Sequence, residues 1–400
     1  MNDLITKRPK QAVILAGGKG TRLKPLTNTV PKPMIKFYGK PFLEYLIDQL
    51  KYQGFMKVLL LLGYLPDVIV NYFGNGQKFN IAIEYDITDV DNDTGFRIKH
   101  AQDKIEPCFL LMYCDNYCPM NFTNMWHHFQ KNNTLCQLTA YTNKDQFTRD
   151  NLFINDSSIV EVYDRKRENE ALSGVDIGYA ICKKEVIGFI PDKNVNFEKT
   201  VYPILVSKQL LSAYQTNHRY YSIGNHERLP NTEIFLKRSP TILLDRDGVI
   251  NKKQQKGCYV TKWEKFEWID GSIEALSLLK KAGYRIIIVT NQAGVARGMM
   301  SASDLEQIHN KMKAVLSDHN VKIDAIYVCP HGWDDNCECR KPKPGMLFDA
   351  QKDFHLDLSQ TCFIGDDERD NEAAQYAGCP FFMVTHTKSL LDIVQNNVLP

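Results

Sequence analysis

Residues 11–34 read QAVILAGGKGTRLKPLTNTVPKPM, and this stretch decides the fold of the first part of the chain. It opens with a short apolar run, Gln11–Ala16, which is typical of a buried parallel strand. A polar turn with three glycines follows directly, at the carboxyl end of the predicted strand, where α/β sheets usually bind their ligands. The stretch therefore predicts an α/β domain with a ligand-binding glycine loop after its first strand.

A second segment opens in the same way. Residues 241–251 read TILLDRDGVIN, so a buried strand over 241–244 is again followed by a polar turn with a glycine. After each segment the apolar patterns of helices and strands alternate, which indicates mostly parallel sheets. The predicted helices cover residues 41–53, 272–282 and 303–317, and further strands cover residues 57–62, 109–113, 285–290, 325–329 and 361–364. Because Pro240 interrupts a helical pattern just before the second segment, we expect two doubly wound α/β domains, 1–238 and 239–400.

The composition argues against several classes of protein. The 400 residues include 49 Lys and Arg against 47 Asp and Glu, a formal net charge of +2, which disfavours a nucleic-acid binder. The longest apolar run, near residues 58–62, is far shorter than the roughly 18 residues of a membrane helix, and the N-terminus has no secretory pattern. The 11 cysteines are scattered. We expect a cytoplasmic protein with reduced thiols, small-molecule substrates and no membrane association; whether it forms a homo-oligomer is left open.

The glycine loop is suited to phosphate. Glycines after a strand let main-chain N–H groups approach phosphate oxygens, and Arg22 and Lys32 supply positive charge. The strings GGKGTRLKPLT (17–27) and PKPM (31–34) together resemble the signature of sugar-1-phosphate nucleotidyltransferases, and the resemblance extends over about residues 10–236. It implies a Rossmann-like domain of the glycosyltransferase-A type. It assigns phosphate contacts to Gly17, Gly18, Gly20 and Thr21, and catalytic roles to Arg22 and Lys32.

The same resemblance implies a reaction at the α-phosphorus of a nucleoside triphosphate. The sugar 1-phosphate attacks, pyrophosphate leaves and a nucleotide-sugar forms, a reaction that depends on positioning and Mg²⁺. Asp115, after the predicted strand over 109–113, matches the family's Mg²⁺-binding aspartate. The substrate contacts of the family correspond to either Arg165 or Lys166, and to Asp176.

This first domain departs from the family at two places. Ser222 stands where many relatives have a second metal-binding aspartate, and a hydroxyl is a weak Mg²⁺ ligand. A glycine-rich string that recognises the base is reduced to residues 93–97. One interpretation of Ser222 is therefore that the domain is a nucleotide-sugar sensor with little catalytic activity.

The second domain carries a carboxylate pair. Asp245 and Asp247 lie two residues apart directly after a predicted buried strand, so one can act as a nucleophile and the other as a general acid and base. The order DxD, Thr, Lys and GDD resembles the haloacid dehalogenase-type phosphatases over about residues 240–386. Where that family often has a lysine after the GD, this chain has Asp367.

The resemblance implies a role for each matching residue. Asp245 would form an aspartyl phosphate, and Asp247 would protonate the leaving alcohol and then activate water. Substrate and phosphate contacts are assigned to Thr290, Asn291, Arg340 and Lys341. Asp245, the main-chain carbonyl of Asp247, and Asp366 would bind Mg²⁺.

A cluster of cysteines precedes Lys341. Cys329, His331, Cys337 and Cys339 lie within eleven positions, and three thiolates with one imidazole suit tetrahedral Zn²⁺. Four protein ligands leave no open position, so we expect a structural zinc that orders the loop carrying Arg340 and Lys341. This loop resembles those of heptose 1,7-bisphosphate phosphatases and histidinol phosphatases, and the strings DRDGVIN and TNQAGVARG are more similar to the heptose enzymes.

Together the two resemblances suggest two consecutive steps on one sugar. The second domain would remove the 7-phosphate of D-glycero-D-manno-heptose 1,7-bisphosphate, and the first would transfer a nucleotidyl group, most plausibly from GTP, to heptose 1-phosphate. The product would be a GDP-heptose for cell-surface glycans such as lipopolysaccharide. The alternative is a histidinol-phosphate-type phosphatase fused to a nucleotidyltransferase for another sugar.

Overall fold

The computed structural model describes residues 8–255 and 257–399. The chain divides into two compact units, Met1–Leu236 and Lys237–Pro400. In the described ranges, no helix combines the length and the apolar character needed to cross a bilayer.

Unit 1 is built around a seven-stranded sheet with the order β12-β8-β11-β6-β1-β4-β5. The strands of unit 1, including three short two-stranded pairs outside this sheet, are β1 (Gln11–Ala16), β2 (Lys36–Phe37), β3 (Lys40–Pro41), β4 (Lys57–Leu62), β5 (Ala82–Ile87), β6 (Cys108–Tyr113), β7 (Asn116–Tyr117), β8 (Cys136–Tyr141), β9 (Leu152–Ile154), β10 (Val160–Tyr163), β11 (Val175–Lys183), β12 (Leu211–Thr216) and β13 (Tyr221–Ser222). The helices are α1 (Phe42–Tyr52), α2 (Pro66–Phe73), α3 (Thr94–His100), α4 (Phe122–Lys131), α5 (Phe197–Ser207) and α6 (Leu229–Leu236).

The apolar runs of this sheet are buried because both faces are covered. All six residues of β1 are buried, and Val13 and Ile14 belong to two different hydrophobic clusters on opposite faces. β1 pairs in parallel with β4 and β6, which confirms the predicted parallel core. β11 runs antiparallel to both of its neighbours, a reversal that its apolar run did not reveal.

Unit 2 contains a five-stranded parallel sheet with the order β16-β15-β14-β17-β18. Its strands are β14 (Thr241–Leu244), β15 (Arg285–Asn291), β16 (Ala325–Cys329), β17 (Cys362–Gly365) and β18 (Phe381–Met383), and its helices are α7 (Ser272–Lys281), α8 (Ala302–Asp318), α9 (Gly345–Phe354), α10 (Glu368–Ala377) and α11 (Leu390–Ile393). The predicted strands and helices are confirmed, with ends that differ by one or two residues.

The register of unit 2 brings its motifs together. Leu244 pairs with Ile288 of β15 and with Ile364 of β17, so the residues that follow these three positions leave the sheet side by side. The DxD turn, the end of β15 and the GDD turn therefore meet at one carboxyl edge.

Candidate functional sites

The glycine loop of unit 1 has two kinds of glycine. Gly17 is buried, and a Cβ there would lie 2.5 Å from the guanidinium carbon of Arg97. Gly18 is exposed, and a Cβ there would meet no atom within 4 Å. Gly18 therefore has open space for a ligand. Position 17 requires a glycine, because a side chain there would clash with Arg97. Gly20, the third glycine, has a φ of 62°, in the left-handed region that favours glycine.

Arg97 lies beneath this loop and is almost completely buried. Its guanidinium donates to the carbonyl oxygens of Leu62 (2.6 Å) and Asp89 (2.9 Å), with a longer contact to that of Gly17 (3.5 Å). Burial lowers the pKa of this guanidinium. Arg97 thus connects the ends of several strands, and it stands in the string where the sequence departs from the nucleotidyltransferase pattern.

The predicted metal-binding aspartate has a basic partner. Lys32 Nζ lies 2.6 Å from Oδ2 of Asp115, and both side chains are largely shielded from solvent. Ser222 is brought beside Asp115, as its predicted position requires, but its hydroxyl donates to the main-chain carbonyl of Asp115 (3.2 Å) and accepts from Gly224 N–H (3.0 Å). Arg22 and Thr21 are exposed on the 3₁₀ turn that follows the glycine loop.

Asp176 forms an acidic pair with a residue that the sequence analysis missed, Glu198. Burial raises the pKa of Asp176 to about 6, and burial together with the Asp176 charge raises the pKa of Glu198 to about 7. Both basic residues are exposed, but Arg165 Nε lies 3.7 Å from Glu198 Oε2, whereas the main-chain N–H of Lys166 donates to Asp164. Of the two predicted basic residues, Arg165 is the one that faces the pair.

In unit 2, Asp245 lies in a buried ionic network. Lys341 Nζ is 2.9 Å from Asp245 Oδ1 and 2.7 Å from Asp370 Oδ1. Burial and the neighbouring carboxylates raise the pKa of Asp245 to about 7 against the opposing effect of Lys341, and the pKa of Lys341 rises to about 12 because its two carboxylate partners outweigh its burial. Asp370 lies four residues after Asp366, in the first turn of α10. The sequence places it in the string GDDERD (365–370), which is predicted to supply a metal carboxylate, but assigns it no contact of its own.

Asp247 is held in one orientation by four hydrogen bonds. Arg246 donates to both of its oxygens (2.9 and 2.8 Å), Asn251 donates to Oδ1 (2.8 Å) and Gln292 donates to Oδ2 (2.7 Å). Burial acts to raise the pKa of Asp247, but these donors lower it below its ordinary value. Arg246 is itself completely buried and also donates to the imidazole of His309 (2.9 Å), whose pKa burial lowers to about 3.

The carboxylates at this edge fit a divalent cation. Oxygens of Asp245, Asp366 and Asp370 lie within 4.8 Å of one another, and among the described residues the buried Asp366 Oδ1 has no hydrogen-bond partner. Lys341 pairs with Asp245 and Asp370, and the unpaired oxygen of Asp366 beside them offers a ligand position that a divalent cation can take. Gly248 (φ 96°) allows the close approach of the DxD turn, because a Cβ there would lie 2.3 Å from Asp366 Oδ2.

The Cys/His cluster forms one compact group of donors. Cys329 Sγ lies 3.7 Å from both His331 Nδ1 and Cys337 Sγ, and Cys339 Sγ lies 3.2 Å from His331 Nδ1 and 3.5 Å from Cys337 Sγ. Donors at about 2.0–2.3 Å from a central zinc are about 3.3–3.8 Å apart in a tetrahedron. The donor set and its spacing therefore fit Zn²⁺.

The cluster lies next to the active cavity. A cavity of about 910 Å³ opens over Asp245, and Lys253, Trp333, Arg340 and Arg369 line its walls. Thr290, also on the wall, accepts from Gln292 (2.9 Å). Asn291 holds the main chain of Lys341 through two hydrogen bonds, with its Nδ2 donating to the carbonyl (3.0 Å) and its Oδ1 accepting from the N–H (3.1 Å). Asn291 thus positions the lysine.

Comparison with known proteins agrees with this geometry. Residues 11–150 match the nucleotidyl transferase family, and residues 241–379 match the family described as polynucleotide kinase 3 phosphatase. Over 143 residues, 36% of this chain and 79% of the relative, the chain is 41% identical to the D-glycero-beta-D-manno-heptose-1,7-bisphosphate 7-phosphatase of Bordetella bronchiseptica. Through its C-terminal unit, the chain belongs to this heptose bisphosphate phosphatase family.

Two solved structures are similar to unit 1. A Bacillus anthracis protein solved as a glucose-1-phosphate thymidylyltransferase covers 56% of this chain and 93% of its own, at 18% identity and a TM-score of 0.50, which shows the fold alone. HddC from Yersinia pseudotuberculosis covers 56% and 98%, at 26% identity and a TM-score of 0.49. The two family matches and the relative from Bordetella bronchiseptica show that the chain joins a nucleotidyl transferase domain to a heptose bisphosphate phosphatase domain, as the sequence predicts.

Proposed function

We propose that the chain carries out two consecutive steps in the synthesis of a nucleotide-activated heptose. The phosphatase unit removes the 7-phosphate of D-glycero-D-manno-heptose 1,7-bisphosphate, and the nucleotidyltransferase unit joins the resulting heptose 1-phosphate to GMP from GTP. The observation that supports this most strongly is the fusion itself. A heptose bisphosphate phosphatase unit and a nucleotidyl transferase unit occur in one chain, and the product of the first fits the second. We place both reactions in the cytoplasm.

In the phosphatase unit, Asp245 attacks the phosphorus of the 7-phosphate and the bond to the sugar oxygen breaks. Asp247, which its four donors hold in place, must enter this step in its protonated form, the minor form while these donors lower its pKa; it gives the leaving oxygen that proton and then regains one from water. That water attacks the aspartyl phosphate, releases phosphate and restores Asp245. Thr290 and Lys341 hold the phosphoryl oxygens, and Arg340 binds the rest of the substrate from the cavity wall.

In the nucleotidyltransferase unit, an oxygen of heptose 1-phosphate attacks the α-phosphorus and the bond to the β-phosphate breaks, so that pyrophosphate leaves. Main-chain N–H groups near Gly18 and Gly20 bind the triphosphate, with positive charge from Arg22 and Lys32. We assign the sugar phosphate contact to Arg165, because of the two predicted basic residues it is the one that lies beside the acidic pair Asp176 and Glu198. The sugar hydroxyl contact is assigned to Asp176. Lys166 and Thr21 are exposed, and this assignment gives neither of them a substrate contact.

Two metals complete the proposal. Mg²⁺ would be held by Asp245, Asp366 and the carbonyl of Asp247 in one unit and by Asp115 in the other, where it neutralises phosphate charge. Zn²⁺ would be held by Cys329, His331, Cys337 and Cys339, and would order the loop that carries Arg340 and Lys341.

Two assays test the proposal separately. The full chain with the heptose bisphosphate should release phosphate, and with heptose 1-phosphate and GTP it should release pyrophosphate. Asp245→Asn should abolish only the first activity and Asp115→Ala only the second. Histidinol phosphate serves as the competing phosphatase substrate, and CTP, UTP and ATP as competing donors. Loss of both activities in a folded Asp245→Asn variant contradicts two independent sites.

A second candidate function for unit 1 is favoured by Ser222, whose hydroxyl is engaged by the main chain beside Asp115. With one carboxylate in place of two, the unit could bind a nucleotide-sugar as a sensor. Pyrophosphate release that disappears in Asp115→Ala excludes this candidate.

A further inference from the structure

Lys253 lies in the loop after the DxD turn and has an unusual pair of partners. Its Nζ is 2.7 Å from Asp366 Oδ2 and 3.0 Å from Asp367 Oδ2. The side chain is 43% exposed and lies on the wall of the active cavity. Lys253 therefore contacts both the metal-binding carboxylate and the space that the substrate would fill.

The two aspartates do not depend on Lys253 equally. Asp367 has a strong partner of its own, because Arg369 donates to it from Nε (2.8 Å) and from Nη2 (2.9 Å). These bonds hold the pKa of Asp367 well below its ordinary value. Asp366 pairs with Lys253 through Oδ2, and its other oxygen is buried with no hydrogen-bond partner in the described ranges 8–255 and 257–399. The bond between Lys253 and Asp366 is therefore the one that a competing cation would replace.

A divalent cation at this edge needs the same carboxylate. The three carboxylates Asp245, Asp366 and Asp370 are close together, and Lys341 already neutralises two of them. A cation bound to Asp366 makes the ammonium group of Lys253 redundant there, and a lysine has the length and flexibility to turn toward a neighbouring anion. Within the cavity that anion is the phosphate of the substrate.

We propose that Lys253 is an internal counter-ion of the phosphatase site: it neutralises Asp366 before the divalent cation binds, and then binds a phosphate oxygen of the substrate. The proposal rests on the phosphatase activity of unit 2 and adds a residue outside the predicted set. Lys253 thus competes with the cation for Asp366 and helps to bind the substrate. Its removal should therefore raise the affinity for the cation and lower the affinity for the substrate.

Calorimetric titration of the full chain with Mg²⁺, without substrate, tests the first effect. In Lys253→Met the cation displaces no ammonium group, so we expect its affinity to rise about threefold to tenfold. Lys252→Met is the matched control, because Lys252 pairs with Glu267 (2.9 Å) outside the cavity, and its affinity should change by less than about twofold. The heat of Mg²⁺ binding at this site is identified as the heat that disappears in the Asp366→Asn variant. An affinity in Lys253→Met equal to or below that of the wild type overturns the proposal.

Hydrolysis of p-nitrophenyl phosphate at saturating Mg²⁺ tests the second effect. We expect Lys253→Met to raise KM about fivefold with kcat within about twofold, and Lys253→Arg to keep KM near the wild-type value. An unchanged KM in Lys253→Met also overturns the proposal. Neither experiment uses the heptose substrate, so a failure to hydrolyse the heptose bisphosphate would count against the proposed function without affecting these outcomes.

Discussion

Asp245 and Lys341 form a buried ion pair, with 2.9 Å between Oδ1 and Nζ, although they lie far apart in the sequence of unit 2. Lys341 is 2% exposed and also pairs with Asp370 (2.7 Å). One ammonium group therefore neutralises two buried carboxylates and fixes Asp245, the proposed nucleophile, relative to the first turn of α10. The same ion pair therefore stabilises unit 2 and positions the residue that we propose reacts with the substrate.

Replacing Lys341 should destabilise unit 2 strongly. Lys341→Met leaves Asp245 and Asp370 buried without their shared cation, and breaking a buried pair in this way costs about 3–5 kcal/mol. Urea denaturation of the full chain should show an earlier transition for unit 2. The double variant Lys341→Met with Asp245→Asn removes one of the stranded charges and should recover part of the loss. A double variant no more stable than the single one contradicts the interpretation.

Gly17 and Gly18 provide a matched pair in the glycine loop. Gly17→Ala places a methyl group against the guanidinium of Arg97, which its carbonyl partners hold in place, so we expect a loss of about 1–3 kcal/mol in the stability of unit 1. Gly18→Ala meets open space and should change stability by less than about 0.5 kcal/mol, while it weakens binding of the nucleoside triphosphate. Urea denaturation and equilibrium binding measure the two effects. Equal stability of the two variants would show that Arg97 does not restrict Gly17.

The acidic pair of unit 1 should make its stability depend on pH. The pKa values of Glu198 (about 7) and Asp176 (about 6) lie above the ordinary 4.5 and 3.8, so between these limits the folded state binds more protons than the unfolded state. This contribution is complete at low pH and is lost as the pH rises through about 7.

Glu198→Gln removes one of these titrations. The decrease in the stability of unit 1 between pH 5 and 8, measured by urea denaturation, should therefore be smaller in this variant. Glu170→Gln is the control, because Glu170 is exposed. A wild-type pH profile in Glu198→Gln would rule out this source of pH dependence.

Zinc removal should affect one unit only. Cys339→Ser removes one donor of the group Cys329, His331, Cys337 and Cys339, so we expect the metal content, measured by mass spectrometry, to fall from one zinc per chain to well below one. Phosphatase activity should fall at least about tenfold, because the loop with Arg340 and Lys341 loses its order. Cys258→Ser, at an exposed cysteine outside the cluster, should leave the zinc content unchanged. Full phosphatase activity without zinc would contradict the structural role.

Much of this architecture can be predicted from the sequence. Apolar runs such as TILL (241–244) and RIIIVT (285–290) indicate buried strands, and polar turns after them place Asp245 and Thr290 at one edge. The direction of β11 could not be predicted in this way, because an apolar run reports burial and not the orientation of a strand.

The missed residues are those whose partners lie far away in sequence. Arg97 contacts Gly17 from 80 positions away, and Lys253 contacts Asp366 from 113 positions away. Lys253 belongs to no local motif, and the string that contains Arg97 (93–97) does not indicate its partners, so only the folded chain brings each residue to its partner. Glu198 is similar, since its raised pKa depends on burial beside Asp176.

In the proposed function, one chain performs both reactions on the same sugar. The direct measurement is mass spectrometry of the products that the purified full chain forms from D-glycero-D-manno-heptose 1,7-bisphosphate, each anomer in turn, with Mg²⁺ and GTP. We predict that GDP-heptose accumulates with one equivalent each of phosphate and pyrophosphate, and that heptose 1-phosphate accumulates when GTP is omitted. Release of neither phosphate nor pyrophosphate, or conversion of the bisphosphate only as far as heptose 1-phosphate with every nucleoside triphosphate, would contradict it.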